Sequence, residues 1–251
     1  SARLRSYVHQ HLRRGWSPEQ IAGALQKTGN AITISHEAIY QYIYTPRARR
    51  EENLIPCLAR AHSHRQCKGH RHTHRMSHIP QRISIHQRPK VVQERKQYGH
   101  WERDGVETRK GKTGLSVLVE RKTGYVKVTK IAARTARNTS VSMTRILSRY
   151  PKAMRRTITY DNGKENVEHI RVNKILGTKS YFCEPFHSWE KGTVENTIGL
   201  IRRIFPKTTN FDHITTKQIK ALERQLNNRP RKRLEYSTPH QIFHRGVALT
   251  H

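Results

Sequence analysis

Tyr98-Gly99-His100-Trp101-Glu102-Arg103-Asp104-Gly105-Val106-Glu107-Thr108 is the stretch at which the pattern of this chain turns to strands. Trp101 to Thr108 reads as a first strand with Asp104 in its middle. Side chains alternate between the two faces of a strand, so Arg103 points away from Asp104, toward the elements that pack on that side. A long cation placed there needs solvent or a partner. A basic turn from Arg109 to Gly114 leads into a second strand, Leu115 to Glu120. The connector Arg121-Lys122-Thr123-Gly124 is short enough for a hairpin into a third strand, Tyr125 to Lys130.

Downstream, a helix fits Asn138 to Arg149, followed by a β-rich run from Thr157 to Tyr160 that the turn formers Asp161-Asn162-Gly163 halt. Lys179 to Cys183 is another brief strand, ending before Pro185. A long helix spans Trp189 to Phe205, with Val194, Ile198, Ile201 and Phe205 in an apolar stripe. Two more helices fit Thr215 to Asn228 and Thr238 to Phe243. The order β-β-β-α-β-α-β-α-α, in which the helix between the fourth and fifth strands is left without bounds, is that of a ribonuclease-H-like α/β fold. It predicts a mixed five-stranded sheet flanked by helices over residues 98–251.

Upstream, residues 1–45 read as three short helices. Ser17-Pro18-Glu19-Gln20 starts one of them: Ser at the cap, Pro at the first helical position and Gln three residues after the Ser. Ile21, Ala22 and Leu25 follow at helical spacing. After Gly29 and Asn30, Ser35 caps a helix through Tyr44 whose stripe is Ala38, Ile39, Tyr42 and Ile43. Two short helices joined by a Gly-bearing turn predict a helix-turn-helix whose second helix reads DNA. From 46 to 97 the periodicity fades into a basic stretch, expected to be an extended linker that tracks phosphates. It holds Cys57, Cys67 and seven histidines from His62 to His86. No short Cys/His pair among them matches a structural zinc pattern.

The charge balance sharpens the reading. Lys and Arg number 49 against 18 Asp and Glu, a formal net charge of +31. Such a chain repels itself unless a polyanion lies against it, and nucleic acid is the expected one. No apolar run approaches the roughly 18 residues of a membrane span, and no signal peptide is legible. Three cysteines at irregular spacing are not a disulfide framework, so a reducing, cytoplasmic setting is expected.

Because acids are scarce, an ordered set of them is informative. Phosphodiester cleavage without a covalent enzyme intermediate needs an activated water or hydroxyl and a stabilised leaving oxygen, which two metal ions about 3.5–4 Å apart supply. Asp104 lies within the first strand, Asp161 ends the fourth, and those two strands are expected to pair. Glu195 sits on the long helix that would cross them. Three acids distant in sequence are thereby expected to converge. Lys191 and Arg202 flank Glu195 along its helix face and are expected on the DNA backbone.

These residues carry a resemblance. Gly99-His100-Trp101-Glu102 with Asp104, Leu118-Val119-Glu120-Arg121-Lys122-Thr123, Asp161-Asn162-Gly163-Lys164-Glu165 and Tyr181-Phe182-Cys183-Glu184-Pro185 are followed by His187-Ser188-Trp189-Glu190-Lys191-Gly192, Glu195-Asn196-Thr197 and Leu226-Asn227-Asn228-Arg229-Pro230-Arg231-Lys232. From Tyr98 to the C-terminus the chain resembles the DDE transposases of the bacterial insertion sequence thirty family and, more distantly, retroviral integrases. The resemblance places the catalytic, metal-holding triad on Asp104, Asp161 and Glu195. It implies two Mg²⁺ or Mn²⁺ ions per site, hydrolysis of DNA at transposon ends, and joining of the freed 3′-hydroxyls to a target. It implies double-stranded DNA as partner, a homodimer or higher oligomer on that DNA, and a bacterial, nucleoid-associated location. The family also carries an extra N-terminal helix-turn-helix, and the chain reads as beginning after it.

Further DNA contacts are expected at His187, at Arg202 and Arg203, and at Arg229, Arg231 and Lys232, where a basic cluster ends a helix. Glu102 and Glu165 neighbour the triad and are expected to be structural or solvated. Two other readings share these features. One is a decayed or truncated copy that grips DNA without cutting it, suggested by Arg103 beside the first aspartate and by a start after the family's N-terminal helix-turn-helix. The other is a purely hydrolytic nuclease built on the same carboxylates. An offered 3′-hydroxyl separates that nuclease from a transposase.

Overall fold

The computed structural model describes residues 2–28, 33–58, 79–108, 111–185 and 187–249. They fall into two compact units. One comprises 1–73 with 228–239, and the other comprises 74–227 with 240–251.

The first unit contains helices α1 (Ala2–Arg13), α2 (Pro18–Lys27), α3 (His36–Tyr44) and α4 (Pro46–Glu51). Ser17 caps α2 with the reciprocal Gln20 bond expected from the sequence, and Ser35 caps α3. Each cap satisfies an amide that the first helical turn leaves without a partner. Val8, Leu12, Ile21, Leu25, Ile39 and Ile43 form the core, and Leu54 and Leu58 close it. Residues 46–58 are therefore part of this unit and not an extended linker, because their apolar side chains find burial in it. Residues 228–239 return to the same unit: Gln20 donates to the Pro230 carbonyl, and Lys27 donates to Ser237. Residues 59–78, which hold six of the seven histidines of the expected basic arm, lie outside the described residues.

The second unit is built on five strands: β1 (His100–Val106), β2 (Gly114–Glu120), β3 (Val126–Ile131), β4 (Thr157–Tyr160) and β5 (Lys179–Phe182). Their order across the sheet is β3-β2-β1-β4-β5. β1, β2 and β3 are antiparallel, whereas β4 and β5 run parallel to β1. Helices α5 (Lys90–Glu94), α6 (Ala136–Leu147), α7 (His169–Leu176), α8 (Gly192–Ile204), α9 (Thr216–Asn227) and α10 (Pro239–Ala248) accompany them. This is the mixed sheet of a ribonuclease-H-like α/β fold.

Alternation along β1 sorts its side chains. Trp101 joins Leu118, Met143, Leu147, Ile158, Val172 and Phe243 in one core, and Val106 joins Val117, Val194, Ile201, Leu222 and Leu226 in the other. Glu102 and Asp104 share the face of Val106, beneath α8. Gly99, at φ +89, opens the strand where a Cβ would meet the Ala153 carbonyl oxygen at 2.6 Å, so the turn into β1 requires glycine.

Residues 79–97 belong to this unit as well, which corrects the linker expected there. Ile79, Ile85 and Val92 are buried. Arg88 donates to Thr159 at 3.0 Å, Arg95 to Thr193 at 3.0 Å, and Arg82 to Asn162 at 3.0 Å. These arginines brace the sheet and are spent on protein partners.

His100 carries a prediction. It is buried, bonded to Thr157 and Gln97 at 2.9 Å each, and burial, with Arg156, Arg121 and Arg88 adding to it, pushes its pKa down to about 4. The unfolded chain takes up this proton near pH 6.5 and the folded chain only near 4, so stability is lost as pH falls between them. At pH 5 the loss from His100 is about 2 kcal/mol. Urea midpoints at pH 7 and pH 5 check this. The drop should shrink in His100→Gln, and an equal drop in both proteins would rule the assignment out.

Candidate active site

The parallel pairing of β1 and β4 sets His100 opposite Thr157, Trp101 opposite Ile158 and Glu102 opposite Thr159. Two residues further along each strand stand Asp104 and Asp161, so the register brings them level on the α8 face. Between them lies the Lys191 ammonium. Its Nζ donates to Asp104 Oδ2 at 3.1 Å, to Asp161 Oδ2 at 3.1 Å and to the Arg103 carbonyl at 3.3 Å. The two carboxylate oxygens are therefore no further apart than twice the first distance.

Each aspartate is also held from behind. Asp104 Oδ1 accepts from the Gly105 N–H at 2.7 Å. Asp161 Oδ1 accepts from the Gly163 N–H at 3.1 Å and from Asn166 Nδ2 at 2.6 Å. Asn166 is fixed in turn by Arg103, whose Nη1 donates to Asn166 Oδ1 at 2.8 Å and pairs with Glu165 at 3.1 Å. Arg103 does point away from Asp104, and the partner that a buried cation there requires is this Glu165–Asn166 pair. Glu165 thus pairs with Arg103, which fixes the Asn166 that bonds Asp161.

The charges explain the shifts. Burial raises the Asp104 pKa, and Lys191 only partly offsets it. Burial acts upward on Asp161 too, but Lys191 and Arg103 outweigh it and hold this carboxyl below its usual range. Lys191 is 2% exposed, and burial alone would lower its pKa; Asp161 and Asp104 outweigh that and move it upward, so the ammonium stays charged. One ammonium against two carboxylates still leaves a net negative charge in the cleft.

Glu102 positions the helix that supplies Lys191. Its carboxylate is fully buried, pairs with Arg121, and accepts from the Val194 N–H at 2.8 Å in the first turn of α8. An acid there satisfies an orphan amide and matches the positive end of the helix dipole. Arg121 also donates to the Val92 carbonyl at 3.1 Å.

Glu195, on α8 one turn past Lys191, is half-buried. Asp104 and Asp161 come together as expected, and Glu195 does not join them. Among the described residues no three His, Cys, Asp or Glu side chains gather closely enough to hold a metal ion. The place between the two aspartates is taken by the Lys191 ammonium. Lys191, expected to meet the DNA backbone, places its ammonium on these two carboxylates and the Arg103 carbonyl.

The remaining candidates are dispersed. Arg203 is exposed on α8, and Arg202 donates to the Glu107 carbonyl. His187 lies 3.6 Å from Glu190 with its side chain 45% exposed. In the first unit Arg229 is buried and donates to Gln20 at 2.7 Å, while Lys232 pairs with Glu19 at 2.6 Å. Arg229 therefore ties residues 228–239 to α2, whereas the Lys232 side chain stays 71% exposed; Arg231 beside them is partly buried. The sequence reading missed Asn166 as a support of Asp161, although it stands five residues on in the same turn.

No protein-family model matches this chain. It is 37% identical to the transposase InsI for insertion sequence element IS30A of Escherichia coli (strain K12), over 98% of this chain and 66% of that protein. It is 35% identical to the transposase for insertion sequence element IS1086 of Cupriavidus metallidurans, over 96% of this chain and 72% of the relative. With the transposase for insertion sequence element IS4351 of Bacteroides fragilis the identity is 38%, at the same two coverages. The catalytic core domain of BIV integrase aligns with a TM-score of 0.47 and 23% identity, over 60% of this chain and 96% of that one. The chain thus spans about two-thirds of the length of the E. coli relative.

Proposed function

Because this chain belongs to the family of insertion-sequence transposases that includes those of IS30A, IS1086 and IS4351, we propose that it cuts DNA at transposon ends and joins the freed 3′-hydroxyls to target DNA. Asp104, Asp161 and Glu195 are the catalytic set and would hold Mg²⁺ or Mn²⁺, two ions per site. The observation that supports this reading is the shared cation: two carboxylates remote in sequence already grip one positive charge between them. Their donor oxygens suit a hard divalent ion, which binds carboxylates and keeps waters and substrate phosphates in its shell. The chemistry such a pair of ions supplies is activation of a water or 3′-hydroxyl and stabilisation of the leaving oxygen.

The protein's own part is positioning. Asn166 and the Gly163 amide aim the Asp161 carboxylate, the β1–β4 register sets Asp104 beside it, and Glu102 anchors the helix that carries Glu195. Arg202, Arg203 and His187 would hold the phosphate backbone near this site, and α3 in the helix-turn-helix unit would read DNA. Tyr40 and Tyr44 are 36% and 47% exposed on α3. Two ends must be held at once, so the working form would be a homodimer or larger assembly on DNA. No helix among the described residues is long and apolar enough to cross a membrane, in keeping with action on DNA in the bacterial cytoplasm.

The non-cutting reading drew in part on Arg103, and that guanidinium pairs with Glu165 and Asn166, which weakens that part of it. The test is a strand-transfer assay with pre-cut DNA from the flanks of the encoding gene, with Mg²⁺ or with chelator. Joined product only with metal is expected. Hydrolysis alone would make the protein a nuclease, and binding without cleavage even in Mn²⁺ would make it a DNA binder.

Asn166→Ala removes a support of a metal-binding carboxylate, and such losses typically cost about 10- to 100-fold in metal affinity. The half-saturating Mn²⁺ concentration, read by thermal shift, should rise accordingly. An unchanged value would show that the Gly163 amide suffices to hold Asp161.

A further inference from the structure

Lys191 is among the most thoroughly buried charged side chains of the chain, and all three of its protons are used within the cleft. A lysine serving only as a phosphate contact would be expected to keep its ammonium in solvent. We propose that Lys191 is a tethered counter-ion of Asp104 and Asp161: it holds the two together, and it must leave when a divalent cation takes their oxygens. Its charge is then released toward the phosphate of the bound strand. The inference rests on the metal-binding reading given above.

Three observations carry it. Without a cation between them, two carboxylates this close repel each other strongly in a partly buried cleft, so the pair needs a positive charge such as the one Lys191 brings. The Asp104 and Asp161 carboxylates that accept from the ammonium are the same groups that would hold a hard divalent ion. A singly and a doubly charged cation cannot occupy that space together, because both contact distance and like charge oppose it. Finally, the side chain has somewhere to go. Lys191 sits at the joint between the 3-10 turn Ser188–Lys191 and α8, with φ −108 and ψ 37, outside the helix's regular geometry. Beside it, a Cβ built on Gly192 would meet nothing within 4 Å.

The consequence is a coupling: loading the site with metal converts a buried, neutralised lysine into an available one. Amine acetylation of the intact protein, read by mass spectrometry at Lys191 with exposed Lys207 as reference, tests it. In chelator Lys191 should be protected. At Mn²⁺ concentrations that saturate a thermal shift, its labelling relative to Lys207 should rise about tenfold or more, as expected for a side chain passing from a charge-paired cleft to solvent. Lys191→Met should bind Mn²⁺ about tenfold or more tightly, since the competing charge is gone. If Mn²⁺ binds and Lys191 stays protected, the counter-ion inference is wrong while the metal-binding reading stands. If Mn²⁺ does not bind the wild-type protein at all, both fall together.

Discussion

Asp161→Asn is expected to abolish strand transfer, a loss on the order of a thousandfold or more and thus about 4 kcal/mol of barrier lowering. The substitution is nearly isosteric. Its carbonyl oxygen can still accept from the Gly163 amide and from Asn166, so the turn after β4 keeps its shape. What disappears is the negative charge and the oxygen now shared with Lys191. An amide nitrogen turned toward that ammonium sets donor against donor. Pre-cut DNA with Mg²⁺ gives the measurement, and a urea midpoint within about 1 kcal/mol of wild type confirms that the fold is kept. Undiminished joining by a folded Asp161→Asn protein would remove this residue from the chemistry and with it the proposed catalytic set.

Glu102→Ala should have the largest effect on stability. Glu102 is 0% exposed, and deleting it strands the buried Arg121 guanidinium and orphans the Val194 amide at the start of α8. Breaking a buried pair from one side typically costs about 3–5 kcal/mol, because the remaining charge is buried uncompensated. Urea denaturation reads the loss. A control separates the stranded charge from mere cavity formation. The double variant Glu102→Leu with Arg121→Met replaces the pair by apolar groups and should regain much of the stability. Failure of the double variant to improve on Glu102→Ala would show that the damage lies in packing or in α8 itself. Activity should stay low in both, since each loses the acceptor that fixes the catalytic helix.

The site was partly legible before folding. Asp104 in mid-strand and Asp161 at a strand end follow from alternation and turn chemistry, and both lie where expected. The five strands lie within two residues of their expected ends, because β-rich runs bounded by turn formers are a local signal. α7 is short, and its buried His169, Val172 and Leu176 make a sparse stripe; Gly177, left-handed at φ 68, was its clearest stop signal. Residues 79–97 were harder to read, since Ile79, Ile85 and Val92 are scattered among arginines and show no period.

Helix caps, strand alternation, overall charge and the order of elements are properties of neighbouring residues, so the linear chain was enough to establish them. The partners of Arg103, Lys191, Arg229 and Lys232 are another matter. A lysine four residues before a glutamate looks the same in sequence whether it faces solvent or sits between two aspartates. Its long stem gives it a wide reach, and which end point wins depends on distances set by the β1–β4 register and the entry of α8. Those distances exist only once the sheet has formed, and they place Lys191 in the cleft and Arg103 on Asn166.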